Sequence, residues 1–538
     1  MNAIEEIRLR TEDLKRDEIL GLFVPTFTDR EIVRLLKAAS PVILEGSRGT
    51  GKSFLLRVAE IELENSFREN RVMPVYVSFI RSSLVHTPDP QQFQHWMLAK
   101  ICNRVVRALK GHGFTAGFES TVLSGSTQPD QEPTVLERLE SEFEDSYRNP
   151  DKPIQTEAIP TVEQFKDAVE DICDRNDISR ISLLFDEAIH IFRPEQQRQF
   201  FTLFRDLRSA YIGCNAAVYP GVTSYGDVFE LTHDATLKRL ERDMLSPQYV
   251  ENMRDIALRQ VESGTAAAIL RNDSTFTVLA YCVGGNPRLL LKNLSQCPEL
   301  RAPEVNELIK SFYRSGIWSE HSSLAETYSG HKPLIDWGRN FIETQVLPRL
   351  EERSLRALKD PEGESSCFFW VNRDAPEAVK HALRLLAYTG IVQKGEDAIR
   401  GTRAELGTRY TVNFGCVLAT QANPTTVGVE LVRKLSIKRF VEFGANHPSY
   451  EPARNATIHV GGEDMLQVLK EQLARPIGEL DLTDWQKNHL QEIGFSTVGQ
   501  LLKSDESVFI EKLRYVGPKR ARRIKNAADA AVLEYLSG

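Results

Sequence analysis

Several large classes of protein are excluded by what this 538-residue sequence lacks. Its seven cysteines (102, 173, 214, 282, 297, 367 and 416) are scattered, odd in number and without a C-x-x-C pair. That argues against a disulfide framework or a structural zinc and fits a reducing, cytoplasmic setting. No apolar run reaches the ~18 residues of a membrane span, and the opening MNAIEEIRLRTEDLKRDE mixes acids with bases, so no secretory signal is expected. The eleven histidines show no H-E-x-x-H spacing and no G-x-S-x-G elbow occurs, which removes two common hydrolase designs. Positive charge is also scarce: the net charge is −8, so any nucleic-acid contact must come from local patches. The rest of the composition, 41% apolar and 26% charged, is that of a globular chain too long for one core. About three to five domains are expected.

The strongest positive signal is PVILEGSRGTGKSFLLRVAEIEL. Pro41 to Leu44 read as a buried strand, and Phe54, Leu55, Val58 and Ile61 share a helical face. Between them, Gly46-x-x-x-x-Gly51-Lys52-Ser53 has P-loop spacing in the strand–loop–helix context that spacing requires. Backbone N–H groups from Gly46, Ser47, Arg48, Gly49, Thr50 and Gly51 would wrap phosphate oxygens at a helix N-terminus. Lys52 would reach the β- and γ-phosphates of ATP, and the Ser53 hydroxyl would bind Mg²⁺.

A P-loop needs a second strand carrying a carboxylate. Ile181-Ser-Leu-Leu-Phe185 ends in Asp186-Glu187, with Asp186 suited to hold Mg²⁺ and Glu187 to polarise the attacking water. The following AIHIF reads as a helix, and PVYVSFI, 74–80, as an intervening strand. Residues 112–160 are polar and rich in turn formers, with one helical stretch from Val135 to Tyr147. They read as a mobile insertion or a partner-binding device. CNAAVYPGV, 214–222, reads as another core strand; Asn215, Thr223 or Ser224 could sense the γ-phosphate, or simply be loop polarity.

In Cys282-Val-Gly-Gly-Asn-Pro-Arg288, Asn286 can cap a helix and Pro287 suits its first position. Arg288 then sits in a first turn, where a cation is unfavourable without an anion beside it, so it is a candidate γ-phosphate contact. Ahead of the P-loop, the stretch from Phe23 to Leu36 could wrap the adenine.

With these residues together, the chain from 20 to about 315 resembles AAA+ and STAND P-loop ATPases, above all the origin-recognition (Orc/Cdc6-like) group. Phe23-Val24 and Arg30-Glu31 look like that family's adenine box, with Arg30 a nucleotide contact, although the glycine usual before the Arg-Glu pair is Asp29 here. GSRGTGKS looks like its Walker A, LLFDE its Walker B, and Gly285-Asn-Pro-Arg288 its lid signature. Arg239 and Arg242 are candidates for an arginine finger or are solvated helix residues. The resemblance implies Mg²⁺-dependent conversion of ATP to ADP and phosphate, in an oligomer or as a slow monomeric switch. It also implies a winged helix after the lid. APEAVKHALRLLAYT, 375–389, is an amphipathic helix followed by Ile391-Val-Gln-Lys and an alternating strand from Thr408, with Lys394, Arg400, Arg403 and Arg409 near the wing.

At the end of the chain, LQEIGFSTVGQLL and FIEKLRYVGPKRARRI resemble paired helix-hairpin-helix units, including those in the C-terminal domain of the bacterial RNA polymerase alpha subunit. In such units hairpin N–H groups take up a DNA phosphate without reading bases. Gly517 would be the hairpin residue, Ala521 the small packing residue, and Lys519, Arg520, Arg522 and Arg523 the flanking cations; Tyr515 replaces the family's first hairpin glycine.

The fold class expected is therefore multidomain: an α/β P-loop core with a parallel sheet over 1–240 (insertion 112–160), a helical lid over 241–320 and a winged helix over 330–445. A linker at 446–477 and an all-α helix-hairpin-helix domain at 478–538 complete it. The function expected is a nucleotide-switched, DNA-binding ATPase without membrane contact, alone, as a homo-oligomer or with partner proteins. The alternative is a STAND-type signalling ATPase whose C-terminal modules bind proteins.

Overall fold

The computed structural model describes residues 10–85, 89, 91–114, 119–125, 133–187, 194–220, 223, 225, 229–327, 331–402, 404–454, 470–480 and 482–537. The sequence expectations at 188–192, Ser224 and Arg403 lie outside these residues. The first sheet comprises β1 (Val42–Glu45), β2 (Val72–Ser78), β3 (Arg180–Asp186), β4 (Ile212–Val218) and β5 (Thr236–Arg239) in the order β2-β3-β4-β1-β5. The β2–β3, β1–β4 and β1–β5 ladders are parallel. Parallel strands are covered on both faces and so read as apolar runs; β4 is buried along its whole length and β3 everywhere but its first residue. β1 leads through the loop of residues 46–51 into the helix Lys52–Asn65, the strand–loop–helix order of a P-loop fold. β5 is the strand the sequence concealed, because it is an exposed edge rich in charge, and LKRLERD reads as a helix by composition.

By internal contacts the chain divides into two compact units: Met1–Asn70, Asn215–Thr223 and Leu231–Ile458 in one, Arg71–Cys214, Ser224–Glu230 and His459–Gly538 in the other. The first contains the helix Lys52–Asn65 that follows β1, and five further helices at Tyr249–Leu258, Ser263–Arg271, Asp273–Cys282, Pro287–Gln296 and Ala302–Ser311. It also contains a second sheet of β6 (Phe368–Asn372), β7 (Val392–Lys394), β8 (Ile399–Arg400), β9 (Leu406–Val412) and β10 (Val441–Phe443), ordered β10-β6-β9-β7 with β8 on β9. Helix Glu377–Tyr388 precedes the antiparallel β7–β9 pair. Gly407 on β9 is required by packing, since a Cβ there would stand 2.4 Å from Trp370.

In the second unit, helix Val135–Glu144 falls within the stretch Val135–Tyr147 expected to be helical, and it packs against its neighbours. A capping box between Thr134 and Glu137 starts helix Val135–Glu144. Buried Lys100 donates to Glu144 at 2.6 Å and pairs with Glu140 at 2.9 Å, while Arg81 reaches Glu144 at 2.8 Å. The polarity that suggested solvent is spent on an internal charge network.

The C-terminal segment is all helical: Asp484–Glu492, Val498–Lys503, Glu506–Lys512 and Pro518–Ser537. Leu490, Leu501, Phe509, Leu513, Ala521 and Ile524 form its core, and Tyr147 belongs to that same buried cluster. Lys525 donates to the carbonyls of Leu501 (3.0 Å), Leu502 (2.5 Å) and Ser504 (2.5 Å), a cation at the C-terminus of helix Val498–Lys503. All seven cysteines are buried and unbridged. No helix among the described residues is long and apolar enough to cross a membrane.

Candidate nucleotide site

The P-loop leaves β1 at Glu45 and enters its helix at Lys52. Gly49 and Gly51 have φ of 86° and 106°, a region open to glycine, and their conformation turns the loop back on itself. Gly46 N donates to the Val218 carbonyl at 3.2 Å, anchoring the loop beside the end of β4. Lys52 is only 8% exposed; its Nζ donates to the carbonyls of Gly46 (2.6 Å) and Ser47 (3.1 Å). The loop thus closes around its own lysine, whose ammonium is held by two backbone acceptors.

The helix Pro287–Gln296 is built as its sequence requires. The Asn286 side chain accepts from Leu289 N and Pro287 occupies the first turn. This helix start lies against the P-loop: Asn286 Nδ2 donates to the Arg48 carbonyl at 2.9 Å and Arg288 N to the Gly49 carbonyl at 3.4 Å. A Cβ on Gly49 would fall 2.7 Å from Asn286 Oδ1 and 3.1 Å from Arg288 Cβ, so glycine is obligatory there for closeness as well as for φ. Burial, and then the charge of Arg48, hold the Arg288 guanidinium below its ordinary pKa. Arg48, Lys52 and Arg288 thus bring positive charge to the start of the Lys52 helix, with Glu12 also acting on Arg288.

In the second unit β3 delivers Asp186, 2% exposed, at its C-terminal end. The Tyr76 hydroxyl from β2 donates to Asp186 Oδ2 and Glu187 N donates to Oδ1 at 3.0 Å, which fixes the carboxylate. Glu187 has φ of 51°, a left-handed conformation costly for a residue with a Cβ and concentrated at functional sites.

Residues 8–212 match the family model described as ORC-CDC6-like. Among solved structures, the chain is similar to the Aeropyrum pernix ORC2 protein in its ADPNP-ADP complexes, 11% identical, covering 78% of this chain and 94% of that one at a TM-score of 0.34. It is similar to the Walker-type ATPase PABY2304 of Pyrococcus abyssi at 12% identity, 80% and 98% coverage and a TM-score of 0.35. The Aeropyrum pernix ORC1 protein in complex with DNA is 15% identical, with 77% and 97% coverage and a TM-score of 0.30. No curated protein matches the sequence.

Several sequence expectations about the site need correction. Arg30 is not brought to the P-loop: its guanidinium pairs with Glu62 at 2.5 Å, far down the helix that Lys52 begins, and lies 4.9 Å from the Phe23 ring. Asn215 is not at the phosphate end of β4. It accepts from Val42 N at 3.2 Å and donates to the Leu36 carbonyl at 3.0 Å, a structural role at the start of β1. The residue that follows β4 beside the loop is Tyr219, whose ring centre is 4.1 Å from Lys52 Nζ. Sequence inspection missed it because a tyrosine in an apolar strand carries no polar signature; only the strand's true end at Val218 reveals it. Thr223 donates its hydroxyl to the Tyr219 carbonyl at 2.7 Å. Arg239 and Arg242 are not on a helix: Arg239 closes β5 and pairs with Glu45 at 3.0 Å, and Arg242 lies in the segment after it.

The C-terminal cations divide. Arg520 donates to the Tyr515 carbonyl at 2.8 Å and Arg522 pairs with Glu506 at 3.4 Å, whereas Gly517, Lys519 and Arg523 are exposed. Ala521 is fully buried and its N donates to the Gly517 carbonyl at 3.0 Å. Around β7 and β9, Lys394 pairs with Asp397 at 2.8 Å and Arg409 with Glu396 at 3.1 Å.

Proposed function

We propose that the chain is an ATP-binding and ATP-hydrolysing switch of the ORC-CDC6-like type that binds DNA through its C-terminal hairpins. The observation that carries the reading is the seating of Asn286 and Arg288 on the backbone of Arg48 and Gly49. A nucleotide entering the P-loop meets Lys52 and Arg288 together, so its phosphates decide how the lid sits. Residues Gly46 to Ser53 would bind the phosphates through backbone N–H groups, and Lys52 would exchange its two carbonyl acceptors for phosphate oxygens. Ser53 and Asp186 would be the Mg²⁺ ligands expected from the sequence, and the Asp186 carboxylate is buried and oriented by the Tyr76 hydroxyl and Glu187 N. Mg²⁺ would supply neutralisation of phosphate charge. Glu187 would orient the attacking water.

For DNA, we assign the contact to Gly517, Lys519 and Arg523 at the start of helix Pro518–Ser537, with Arg520 and Arg522 bracing the hairpin. Residues 330–445 would form a winged-helix domain, and its paired bases at Lys394 and Arg409 favour a role in holding protein rather than DNA. The test uses the full chain, because Tyr147 is part of the hairpin core and truncation at 476 would uncover it. ATP binding and turnover are measured for wild type and Lys52→Ala, and DNA affinity with and without ATP for wild type and the Lys519→Ala, Arg523→Ala pair. Lys52→Ala should lose nucleotide, and the hairpin pair should lose DNA affinity with a shallower salt dependence. Wild-type turnover by Lys52→Ala would sink the ATPase reading; unchanged DNA affinity in the hairpin pair would sink the DNA reading.

A further inference from the structure

Arg242 contacts three segments beside the P-loop. Its Nη1 donates to the Thr50 carbonyl at 2.9 Å and approaches the Gly285 carbonyl at 3.5 Å; its Nη2 lies 3.4 Å from both carboxylate oxygens of Asp29. The pair is largely shielded, with side chains 14% and 4% exposed. Each contact falls one step from a residue of the nucleotide site. Thr50 leads into Gly51 and Lys52, Gly285 leads into Asn286 and the helix bearing Arg288, and Asp29 sits on helix Phe27–Leu36 ahead of the P-loop. Backbone geometry confirms the tightness: Gly285 has φ of 78°, and a Cβ there would stand 2.9 Å from Arg242 Cβ and 3.0 Å from its carbonyl oxygen.

Asp29 is itself fixed. Its N donates to Thr26 Oγ1 at 3.1 Å, and that hydroxyl donates back to Asp29 Oδ2 at 2.8 Å, so the N-cap of helix Phe27–Leu36 and the carboxylate's aim are set together. This accounts for the departure noted in the sequence, an aspartate where the resembled family has glycine. With glycine at 29, a buried guanidinium would lose its carboxylate, which is strongly unfavourable. Nor is the arrangement tuned for stability alone, because Arg242 Nε is buried without a partner among the described residues, a cost the fold carries.

We propose that Arg242, aimed by Asp29, is a positioning residue that locks the P-loop and the lid turn in one register, so that Lys52 and Arg288 face the same nucleotide. An arginine is needed for this: its planar fork reaches a carboxylate and two carbonyls at once, which the point charge of lysine does not. Arg242 acts within its own chain and is spent there, so it is not an arginine finger for a neighbouring copy. The proposal rests on the nucleotide binding proposed above, and its test separates the two.

The experiment uses the full chain as wild type, Arg242→Lys, Arg242→Gln and Asp29→Asn. Hydrogen–deuterium exchange without nucleotide is the first measurement. Arg242→Gln should raise exchange at both the Thr50–Lys52 segment and the Gly285–Arg288 segment, Asp29→Asn should do so less, and exchange elsewhere should hold. Affinity for a fluorescent ATP analogue with Mg²⁺ is the second. Arg242→Gln should weaken it roughly 10-fold or more, as expected when a group that orients the ligands of a bound species is lost, with Arg242→Lys intermediate. A fall in melting temperature with unchanged analogue affinity and turnover would make the pair merely structural and overturn the proposal. If wild type fails to bind the analogue, the ATPase reading fails by itself, while unchanged exchange at the two segments in Arg242→Gln overturns the lock whether or not nucleotide binds.

Discussion

The ammonium of Lys52 lies over the ring of Tyr219, 4.1 Å from its centre. That ring in turn meets Tyr388 edge-on, with centroids 5.3 Å apart and planes at 81°. A desolvated cation–π contact and an aromatic pair together amount to about 2 kcal/mol. Tyr219→Leu should therefore lower unfolding free energy by roughly that much, read by urea denaturation, while Tyr219→Phe, which keeps both ring contacts, should lose less. Equal losses for the two variants would mean that the hydroxyl rather than the ring matters.

Tyr515 has φ of 63° and is 83% exposed. A residue with a Cβ held in the left-handed region costs roughly 1–2 kcal/mol, and an exposed ring recovers little of it. Tyr515→Gly should raise the thermal midpoint, with a gain of about 1 kcal/mol after glycine's extra freedom in the unfolded chain is subtracted. A drop in the midpoint would show that the ring makes a stabilising contact.

Burial pushes the Glu144 carboxyl up, but Lys100 and Arg81 outweigh it, and the group ends below its ordinary value of 4.5. A depressed carboxylate adds stability at pH above the unfolded value, and that share is lost as the pH falls through the folded value. Acid titration of wild type should show a decline that begins below about pH 4.5. Lys100→Met strands two carboxylates in the interior and should cost about 3–5 kcal/mol at pH 7, a penalty that shrinks in acid as they protonate.

Histidine contributes a second, higher pH window. Burial lowers His321 and His381 from 6.5 to about 4, and the neutral ring of His381 stacks on His331 with centroids 5.5 Å apart. The unfolded chain takes up protons near pH 6.5 while the folded chain resists until about 4, so stability falls as the pH drops through that interval and levels below it for these groups. His381→Phe should flatten the slope of unfolding free energy against pH between those limits. An unchanged slope would place the titration elsewhere.

The P-loop and the capped helix at Pro287 were legible because they depend on local chemistry: glycines where φ is positive, a lysine at a helix start, an asparagine before a proline. Asp186 was legible as the acid that ends an apolar strand. What escaped depended on long-range placement. Arg30 looks like an adenine contact until helix packing hands it to Glu62, and Asn215 looks like a sensor until the β1–β4 register sets it opposite Val42. β5 hid because an exposed edge strand needs no apolar alternation. The buried use of Lys100 by Glu140 and Glu144 cannot be told from solvated charge without knowing what covers it.

Tyr147 carries a consequence for how this chain is made. It is buried among Leu473, Ile477, Leu490 and the other residues of the hairpin core, all of them synthesised long after it. While the ribosome works toward the C-terminus, helix Val135–Glu144 and its neighbours wait with an aromatic side chain uncovered. The second unit cannot finish its own core until the last helices emerge, so a stalled or prematurely stopped chain leaves a sticky intermediate rather than a finished core.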